Sequence, residues 1–427
     1  MIPARAGAGR STKSAAGCKK EAYMNRSKEG AYTVPGFIAN GIHVGIKASG
    51  LKDLALIYSS VPSKVTGVFT TNCFKAAPVV VSQERIKGGV AQAILANSGN
   101  ANAASGMKGH QDAIYMSHLA SERLHIREDH VLVASTGIIG HHLPIKKIEA
   151  GMERLVKGLR KNGIPDAEKA IMTTDKFPKI AYRKANLGSR EVTICGIAKG
   201  AGMIEPHMAT MLAFIMTDVN IDLPILDRLF RQAVDVSFNA ITVDGCMSTN
   251  DTAVIMANGL AENMTIKGPS RGLSLFKEML FTVMSDLSEA MVKDGEGATK
   301  IIEVLVEEAK STGDAKKIAY AIANSNLVKT AIFGRDPNWG RILSAAGSVG
   351  ISMPVDAIKL YFRDVPVFAG GHGVYNRENN REKELVEIME SGRIGIRIKL
   401  GMGKKSFRVL ASDLSYDYIT INAKYHS

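Results

Sequence analysis

Short apolar runs rich in β-branched residues alternate with longer segments of helical periodicity along most of this chain. Branched and apolar runs favour strands, whereas apolar residues that recur three and four positions apart favour helices. The alternation of these two kinds of segment predicts an α/β or α+β protein. The predicted strands are Asp53–Tyr58, Val65–Phe69, Val90–Leu95, Val131–Ala134 and Lys300–Glu307, and the predicted helices are Gln111–Leu124, Ile145–Leu159, Ile225–Val236 and Leu273–Val292.

Segments rich in glycine and asparagine mark the predicted breaks between these elements. Asn97–Asn102 is predicted to be a loop at a strand end, and Asp294–Gly297 a turn. A chain of 427 residues is long enough for two or three domains. We predict a basic, disordered or loosely attached extension over residues 1–27, a main domain over residues 28–299 and a smaller α/β domain over residues 300–427.

The composition is that of a soluble globular protein. Apolar residues make up 45% of the chain and charged residues 22%, and no apolar run reaches the roughly 18–20 residues of a membrane helix. The cysteines are too widely scattered for a metal site or a disulfide framework, which favours a reducing, cytoplasmic compartment. A targeting role for residues 1–27, such as import into an organelle, stays open. The four cysteines are Cys18, Cys73, Cys195 and Cys246.

A formal net charge of +13 raises the alternative of a non-enzymatic nucleic-acid-binding protein. Much of this excess lies at the N-terminus, where residues 1–30 contain seven basic and two acidic residues. The rest of the chain shows no basic stripe with interleaved aromatic residues. The charge therefore suits an anionic small-molecule substrate as well as it suits a nucleic acid.

The segment Lys199–Phe214 joins a glycine-rich loop to an apolar strand whose first residue is Thr210. A hydroxyl is a weak nucleophile and needs a neighbouring base. If the bond between Ala209 and Thr210 is cut, the new α-amino group, with a pKa of roughly 8, can take the proton of the hydroxyl in its own residue. The same hydroxyl can perform the cut if Gly200 and Gly202 let the loop strain that bond. The alternative is an ordinary strand that begins with threonine.

Seven blocks of the chain carry distinctive combinations of residues. They are Ala134–Gly140, Met172–Asp175, Lys199–Phe214, Phe238–Gly245, Ser248–Thr252, Ala331–Arg341 and Asp413–Tyr418. In this order, and from about residue 31 to residue 427, they resemble the signature blocks of the ornithine acetyltransferase (glutamate N-acetyltransferase) family of arginine biosynthesis. So many blocks in one register make the resemblance specific.

The resemblance implies a self-cleaving acyltransferase with an N-terminal-nucleophile type of fold, an α+β layered sandwich. Its precursor would be cut between Ala209 and Thr210 into chains 1–209 and 210–427, which assemble as an α2β2 heterotetramer. N2-acetylornithine would acetylate Thr210, ornithine would leave, and glutamate would take the acetyl group. This ping-pong cycle needs no cofactor, and some members also acetylate glutamate from acetyl-CoA as a co-substrate. Neither a nucleic acid nor a membrane is an expected partner.

The resemblance also assigns roles to individual residues. Thr136 and Gly137 would form the oxyanion hole through a hydroxyl and a backbone N–H. Considered alone, the segment favours Thr136 as the cap of a strand-to-helix turn before Leu143 and Pro144, and isolated charges are more often solvated than functional. A role at the extreme C-terminus requires the tail to fold back over the site. The implied substrate contacts are Thr173, Lys199 for a carboxylate, Thr210, Glu296 for the ammonium of ornithine, Asn422 and Ser427.

Other features are assigned to the scaffold. Asp336–Arg341, which contains the only tryptophan, is predicted to be a packed turn that leads into a helix. Three histidines do not form a ligand cluster, so no metal site is predicted. Some positions depart from the family's pattern and bear on processing and affinity. The histidines are His141, His142 and His207, and the departures are Glu205, His207, Cys246 with Met247, and Ser427.

A related hydrolase is the nearest alternative to an acetyltransferase. In an N-terminal-nucleophile aminopeptidase or amidase, water would take the place of glutamate as the acceptor. Both kinds of enzyme would share the cleavage before Thr210, so the residues around it do not separate them.

Overall fold

The computed structural model describes residues 32–205, 211–374 and 381–424. The extension over residues 1–27, the junction between Ala209 and Thr210, His207 and Ser427 therefore lie outside the described residues. Strands and helices are numbered in chain order. In the first half of the fold the helices are α1 (Ala77–Arg85), α2 (Gly106–Leu124), α3 (Ile145–Lys157), α4 (Ile164–Ile171), α5 (Leu223–Val236) and α6 (Arg271–Lys293).

The first sheet is mixed and has the strand order β4-β3-β2-β9-β7-β6-β5, with β1 added against β2. The pairs β3 with β4 and β7 with β9 are parallel, and the other pairs are antiparallel. Its strands are β1 (Phe37–Ile42), β2 (Leu54–Phe69), β3 (Val90–Asn100), β4 (Val131–Ile138), β5 (Lys179–Leu187), β6 (Arg190–Lys199), β7 (Leu212–Thr217) and β9 (Thr252–Ala257).

Both faces of the central part of this sheet are buried. Along β7, Ala213 and Ile215 belong to the core that contains α5 and α6, whereas Leu212, Phe214 and Met216 belong to the core on the opposite face. Alternate residues of a strand point to opposite faces, so a strand covered on both sides is apolar at every position. This explains why the apolar run of β7 has no polar alternation.

The second sheet has the strand order β13-β12-β11-β14-β10-β15-β8 and packs against α7 and α9 through a core of its own. Its strands are β8 (Ile241–Thr242), β10 (Ile301–Ala309), β11 (Lys359–Phe362), β12 (Val365–Ala369), β13 (His372–Gly373), β14 (Arg393–Lys399) and β15 (Lys405–Ser412). The remaining helices are α7 (Thr312–Ala323), α8 (Asn326–Phe333), α9 (Trp339–Gly347), α10 (Arg381–Glu390) and α11 (Tyr416–Lys424).

The two sheets are connected by more than the chain at residue 300. Strand β8 comes from the first half of the fold but pairs in parallel with β15 of the second sheet. The buried ammonium of Lys329 on α8 donates a hydrogen bond of 2.7 Å to the carbonyl oxygen of Val243, directly after β8, and another to that of Ser412. The division at residue 300 thus remains a prediction, with β10 beginning one residue later.

The α/β class predicted from the sequence is confirmed, and the four predicted helices are present within a few residues of their predicted ends. Two local predictions are wrong. The strands predicted at Asp53–Tyr58 and Val65–Phe69 form one strand, β2, whose register shifts between Tyr58 and Ser63. The first residues of the predicted loop Asn97–Asn102 continue β3 as far as Asn100. In the part of the chain that the structure describes, no helix is long and apolar enough to cross a membrane.

Candidate functional site

One pocket collects the predicted site residues that the structure describes. It lies where β4 and β6 end, between the loops that follow α4, β6 and α6, with α11 at its rim. Six residues predicted from the sequence line it, whereas Ala209, Thr210 and Ser427 lie outside the described residues. The lining is Thr136, Gly137, Ile139, Thr173, Thr174, Lys199, Gly202, Met203, Ser248, Asn250, Glu296 and Asn422, and we call it the site pocket.

The pair predicted as an oxyanion hole lies near the end of β4. Gly137 adopts φ +134°, and a Cβ there would lie 2.4 Å from the backbone carbon of Gly99 on β3. Only glycine fits so close to a neighbouring backbone. The alternative of Thr136 as a helix cap is wrong, because β4 continues to Ile138 and the next helix begins at Ile145 after Pro144, with no side-chain cap.

Lys199 is the last residue of β6 and is only 2% exposed, so it is not a solvated surface charge. Burial lowers the pKa of its ammonium group. The ammonium donates a hydrogen bond of 3.2 Å to the hydroxyl oxygen of Thr136. A hydroxyl that accepts from an ammonium keeps its own hydrogen available to donate elsewhere. Lys199 therefore orients Thr136 as a donor while it places a buried positive charge at the pocket.

Glu296 supplies the opposite charge. It lies in the turn after α6, where its backbone N–H donates a 2.8 Å hydrogen bond to the carbonyl oxygen of Ala201. A Cβ on Gly202 would lie 2.5 Å from the carboxylate of Glu296, so glycine is required for this close approach. The side-chain amide of Asn422, on α11, donates a 2.8 Å hydrogen bond to the same carboxylate. The C-terminal segment thus returns to the pocket, as a role for Asn422 requires.

The loop that carries Thr173 is held by a lysine that sequence reasoning did not single out. The ammonium of Lys47 donates hydrogen bonds of 2.6 Å to the carbonyl oxygen of Met172 and of 2.8 Å to that of Lys52. Burial lowers the pKa of Lys47 to about 8. Lys47 lies more than a hundred residues before Thr173 in a region without a recognisable motif, so no local signal could have identified it.

The chain on both sides of residues 206–210 is held by carboxylates. The side chain of Asp244 accepts hydrogen bonds from the backbone N–H groups of Met203 (2.6 Å) and Ile204 (2.9 Å). On the other side, Asp251 accepts a 2.9 Å hydrogen bond from the backbone N–H of Met211. Burial raises the pKa of Asp251 well above its ordinary value. These two aspartates, which belong to blocks noted in the sequence, fix the ends of the segment that contains Thr210.

The features assigned to the scaffold make local hydrogen bonds in the structure. Asp336–Arg341 forms a turn into α9, as predicted, and the side chain of Asn338 accepts a 3.2 Å hydrogen bond from the backbone N–H of Arg341. The carbonyl oxygens of His141 and His142 accept from the side-chain amide of Asn100. Within residues 32–205, 211–374 and 381–424 there is no group of His, Cys, Asp or Glu side chains that could hold a metal ion.

The site pocket combines three chemical elements. Thr136 and Gly137 line it at the end of β4, the buried ammonium of Lys199 lies beside the Thr136 hydroxyl, and Glu296 lines it from the turn after α6. Paired hydrogen-bond donors suit a carbonyl oxygen that gains negative charge, and the two opposite charges suit the carboxylate and ammonium groups of an amino acid. The fold and the site define an α/β enzyme that acts on the acyl group of a small amino-acid derivative.

Comparison with known proteins identifies the family. Residues 38–427 match the ArgJ family. The chain is 48% identical over 399 residues to the arginine biosynthesis bifunctional protein ArgJ of Geobacter sulfurreducens, which covers 92% of this chain and 100% of that protein. It is 44% identical to the protein of the same name from Thermotoga neapolitana, with 92% of this chain and 99% of that protein covered. The chain belongs to the ArgJ family, which confirms the resemblance inferred from the sequence blocks.

Two solved structures are similar to this chain. The crystal structure of arginine biosynthesis bifunctional protein ArgJ from Bacillus halodurans is 37% identical with a TM-score of 0.47, over 50% of this chain and 98% of that one. Ornithine acetyltransferase of Mycobacterium tuberculosis, in complex with ornithine, is 36% identical with a TM-score of 0.40, over 44% of this chain and 98% of that one.

Proposed function

We propose that this chain transfers an acetyl group from N2-acetylornithine to glutamate, giving ornithine and N-acetylglutamate in arginine biosynthesis. The observation that carries the proposal is the charge arrangement of the site pocket in a member of the ArgJ family. The buried ammonium of Lys199 suits the carboxylate of ornithine, and the carboxylate of Glu296 suits an ammonium group of the same molecule. Thr173 and Asn422 border the pocket, where they can contact the bound amino acid.

The nucleophile in this proposal is Thr210. In the sequence it lies two residues before Leu212, and the backbone of Leu212 pairs with that of Lys199 at the edge of the pocket. Self-cleavage after Ala209 would give chains 1–209 and 210–427 and free the α-amino group of Thr210. We further propose that these chains assemble as an α2β2 heterotetramer. Ser427 is proposed as a further substrate contact.

The reaction proceeds in two transfers. The hydroxyl oxygen of Thr210 attacks the acetyl carbonyl carbon of N2-acetylornithine while the α-amino group takes the hydroxyl proton. The oxygen that becomes negative accepts hydrogen bonds from the hydroxyl of Thr136 and the backbone N–H of Gly137, worth roughly 3 kcal/mol for one such donor. The C–N bond then breaks, the nitrogen takes the proton, and ornithine leaves. The amine of glutamate attacks the acetyl ester in the same way and regenerates Thr210.

The cycle conserves the acyl bond, so it needs no cofactor. Acetyl-CoA is proposed only as an additional acetyl donor, and a cytoplasmic location is proposed from the widely scattered cysteines.

The first assay measures N-acetylglutamate and ornithine in a mixture of enzyme, N2-acetylornithine and glutamate without acetyl-CoA. Equal amounts of both products support the transfer. Release of ornithine with free acetate, unaffected by glutamate, would instead identify a hydrolase of the aminopeptidase or amidase kind.

A further inference from the structure

Behind the site pocket lies a buried group of three charges that none of the steps above uses. Lys179, the first residue of β5, has an ammonium 2.7 Å from a carboxylate oxygen of Asp175 and 2.5 Å from one of Asp294. All three side chains are 0% exposed. We call Lys179, Asp175 and Asp294 the buried triad. None of the three lines the site pocket.

The carboxylates of the buried triad also hold backbone groups of separate segments. Asp175 accepts hydrogen bonds from the backbone N–H of Thr173 (2.9 Å) and from that of Gly200 (2.7 Å). Asp294 accepts from the backbone N–H of Lys176 through both oxygens, at 3.1 and 3.0 Å. A single ammonium therefore joins the loop after α4, the end of β6 and the turn after α6.

Each of these segments carries one residue of the proposed substrate site. Thr173 itself donates to Asp175, Lys199 directly precedes Gly200, and Glu296 follows Asp294 by two residues. The distances among these three site residues therefore depend on contacts made by the buried triad. A displacement of about 1 Å in such a constellation can lower activity by about a hundredfold.

Asp175, which accepts three of these hydrogen bonds, is ionised at neutral pH. Burial acts to raise the pKa of Asp175, but the ammonium groups of Lys199 and Lys179 outweigh it and lower that pKa to about 2. A buried ion pair is often no more stable than an apolar replacement of the same shape, because removing the charges from water offsets their attraction. Stability alone therefore does not account for three fully buried charges at this place.

We propose that the buried triad positions the substrate-binding residues, by fixing the spacing between Thr173, Lys199 and Glu296. This inference rests on the proposed function, in which these three residues bind ornithine. The triad residues are positioning residues, since they act through backbone contacts and do not touch the substrate.

The test replaces Asp175 by asparagine. A carboxamide has one acceptor oxygen and one donor group, so it cannot accept from both Thr173 and Gly200 and also from Lys179. We expect Asp175→Asn to weaken ornithine binding, measured by calorimetry, by about tenfold to a hundredfold, and to raise the KM for N2-acetylornithine similarly. Hydrogen exchange at the Thr173 and Gly200 amides should accelerate in the same variant.

The matched control is Asp218→Asn. Asp218 is also buried and accepts a 2.7 Å hydrogen bond from the backbone N–H of Thr193, on the same strand β6 but far from its pocket end. Both variants should lose stability, but the control should bind ornithine as the wild type does. Equal ornithine affinity in Asp175→Asn and wild type, with both folded, would overturn the inference. An equal loss in the control would overturn it as well.

A second variant covers the case in which Asp175→Asn does not fold. In Asp294→Asn, the amide oxygen can still accept from the backbone of Lys176, and only the contact with Lys179 is weakened, so a smaller loss of ornithine affinity is expected. Unchanged affinity in this variant contradicts the proposal. If the wild-type enzyme binds ornithine but forms no N-acetylglutamate, the proposed function is refuted. The comparison of ornithine affinities between the variants and the wild type would still test the role of the buried triad.

Discussion

Replacing Gly137 by alanine places a methyl group against the backbone of the neighbouring strand. The new Cβ would lie 2.4 Å from the carbonyl carbon of Gly99 and 2.5 Å from the backbone nitrogen of Asn100. Contacts between a Cβ and these atoms are rarely shorter than 3.4 Å, so the ends of β3 and β4 would have to separate by about 1 Å. The same movement displaces the backbone N–H that is proposed to stabilise the oxyanion.

A displacement of this size lowers the rate of acetyl transfer by about a hundredfold, or about 2.7 kcal/mol in the activation free energy. That figure agrees with the roughly 2.7–4 kcal/mol known for the loss of one oxyanion-hole donor. The assay is the single-turnover rate at which N2-acetylornithine acetylates the enzyme, followed by mass spectrometry. Measuring one turnover excludes effects on ornithine release and on the second transfer.

Gly140→Ala is the control. Gly140 also has a positive φ, of +84°, but a Cβ there would meet no atom within 4 Å. Its replacement should cost about 1 kcal/mol of stability through backbone strain and leave the acetylation rate near that of the wild type. If Gly137→Ala is acetylated at the wild-type rate, or if both variants are equally slow, the assignment of the oxyanion hole is wrong.

Two further predictions concern residues of the site pocket, and a third concerns a buried carboxyl group of α4. Lys199→Met should weaken ornithine binding about tenfold to a hundredfold in calorimetry, because it removes a charged hydrogen bond worth about 1.5–3 kcal/mol. Asn422→Ala should raise the KM for N2-acetylornithine about twofold to tenfold, since it removes the 2.8 Å hydrogen bond to Glu296. Glu168 on α4 accepts a 2.9 Å hydrogen bond from the backbone N–H of Lys179, and burial raises its pKa to about 7, above its unfolded value. This group should therefore contribute about 3 kcal/mol of stability that is lost as the pH rises from 4.5 to 7, and Glu168→Gln should reduce the loss of stability over that range by about this amount.

The controls for these predictions are simple. For the Glu168 prediction, the free energy of unfolding is measured in a Thr210→Ala background, where the chain is expected to stay uncleaved and to unfold as one polypeptide. A change in stability between pH 4.5 and 7 that is the same in Glu168→Gln as in the protein with Glu168 would contradict the assigned pKa. Ornithine binding that survives Lys199→Met would show that the substrate carboxylate binds elsewhere, and an unchanged KM in Asn422→Ala would remove α11 from the substrate site.

The local pattern of apolar residues predicted most helices and strands correctly. It failed where contacts with other segments of the fold determine whether a residue belongs to a strand. The polar residues of Asn97–Asn100 predict a loop, yet they continue β3 because their side chains find partners inside the fold. The side-chain amide of Asn97 donates to the carbonyl oxygen of Asn100 at 2.9 Å, and the hydroxyl of Ser98 to that of Ala170 at 2.6 Å. The two strands predicted at Asp53–Tyr58 and Val65–Phe69 form one strand for a similar reason. β2 keeps β3 as its partner on one side and exchanges β1 for β9 on the other.

The prediction of the site residues also depended on whether their neighbours lie close in sequence or only in space. The family resemblance identified six residues that the fold brings to one pocket, and four of them lie in the distinctive blocks. Lys179 and Asp175, four residues apart, instead have the spacing of an ordinary surface pair on a helix. Their burial depends on Asp294, which is more than a hundred residues away in sequence. Only the packing of three separate segments reveals that these charges belong together.

The most direct test of the account is the mass of the purified enzyme after incubation with N2-acetylornithine in the absence of glutamate. The account predicts two chains, divided between Ala209 and Thr210, with one acetyl group on the N-terminal residue of the second chain and none on the first. Addition of glutamate should remove that acetyl group. A fully active enzyme that remains a single unmodified polypeptide would contradict the central claim.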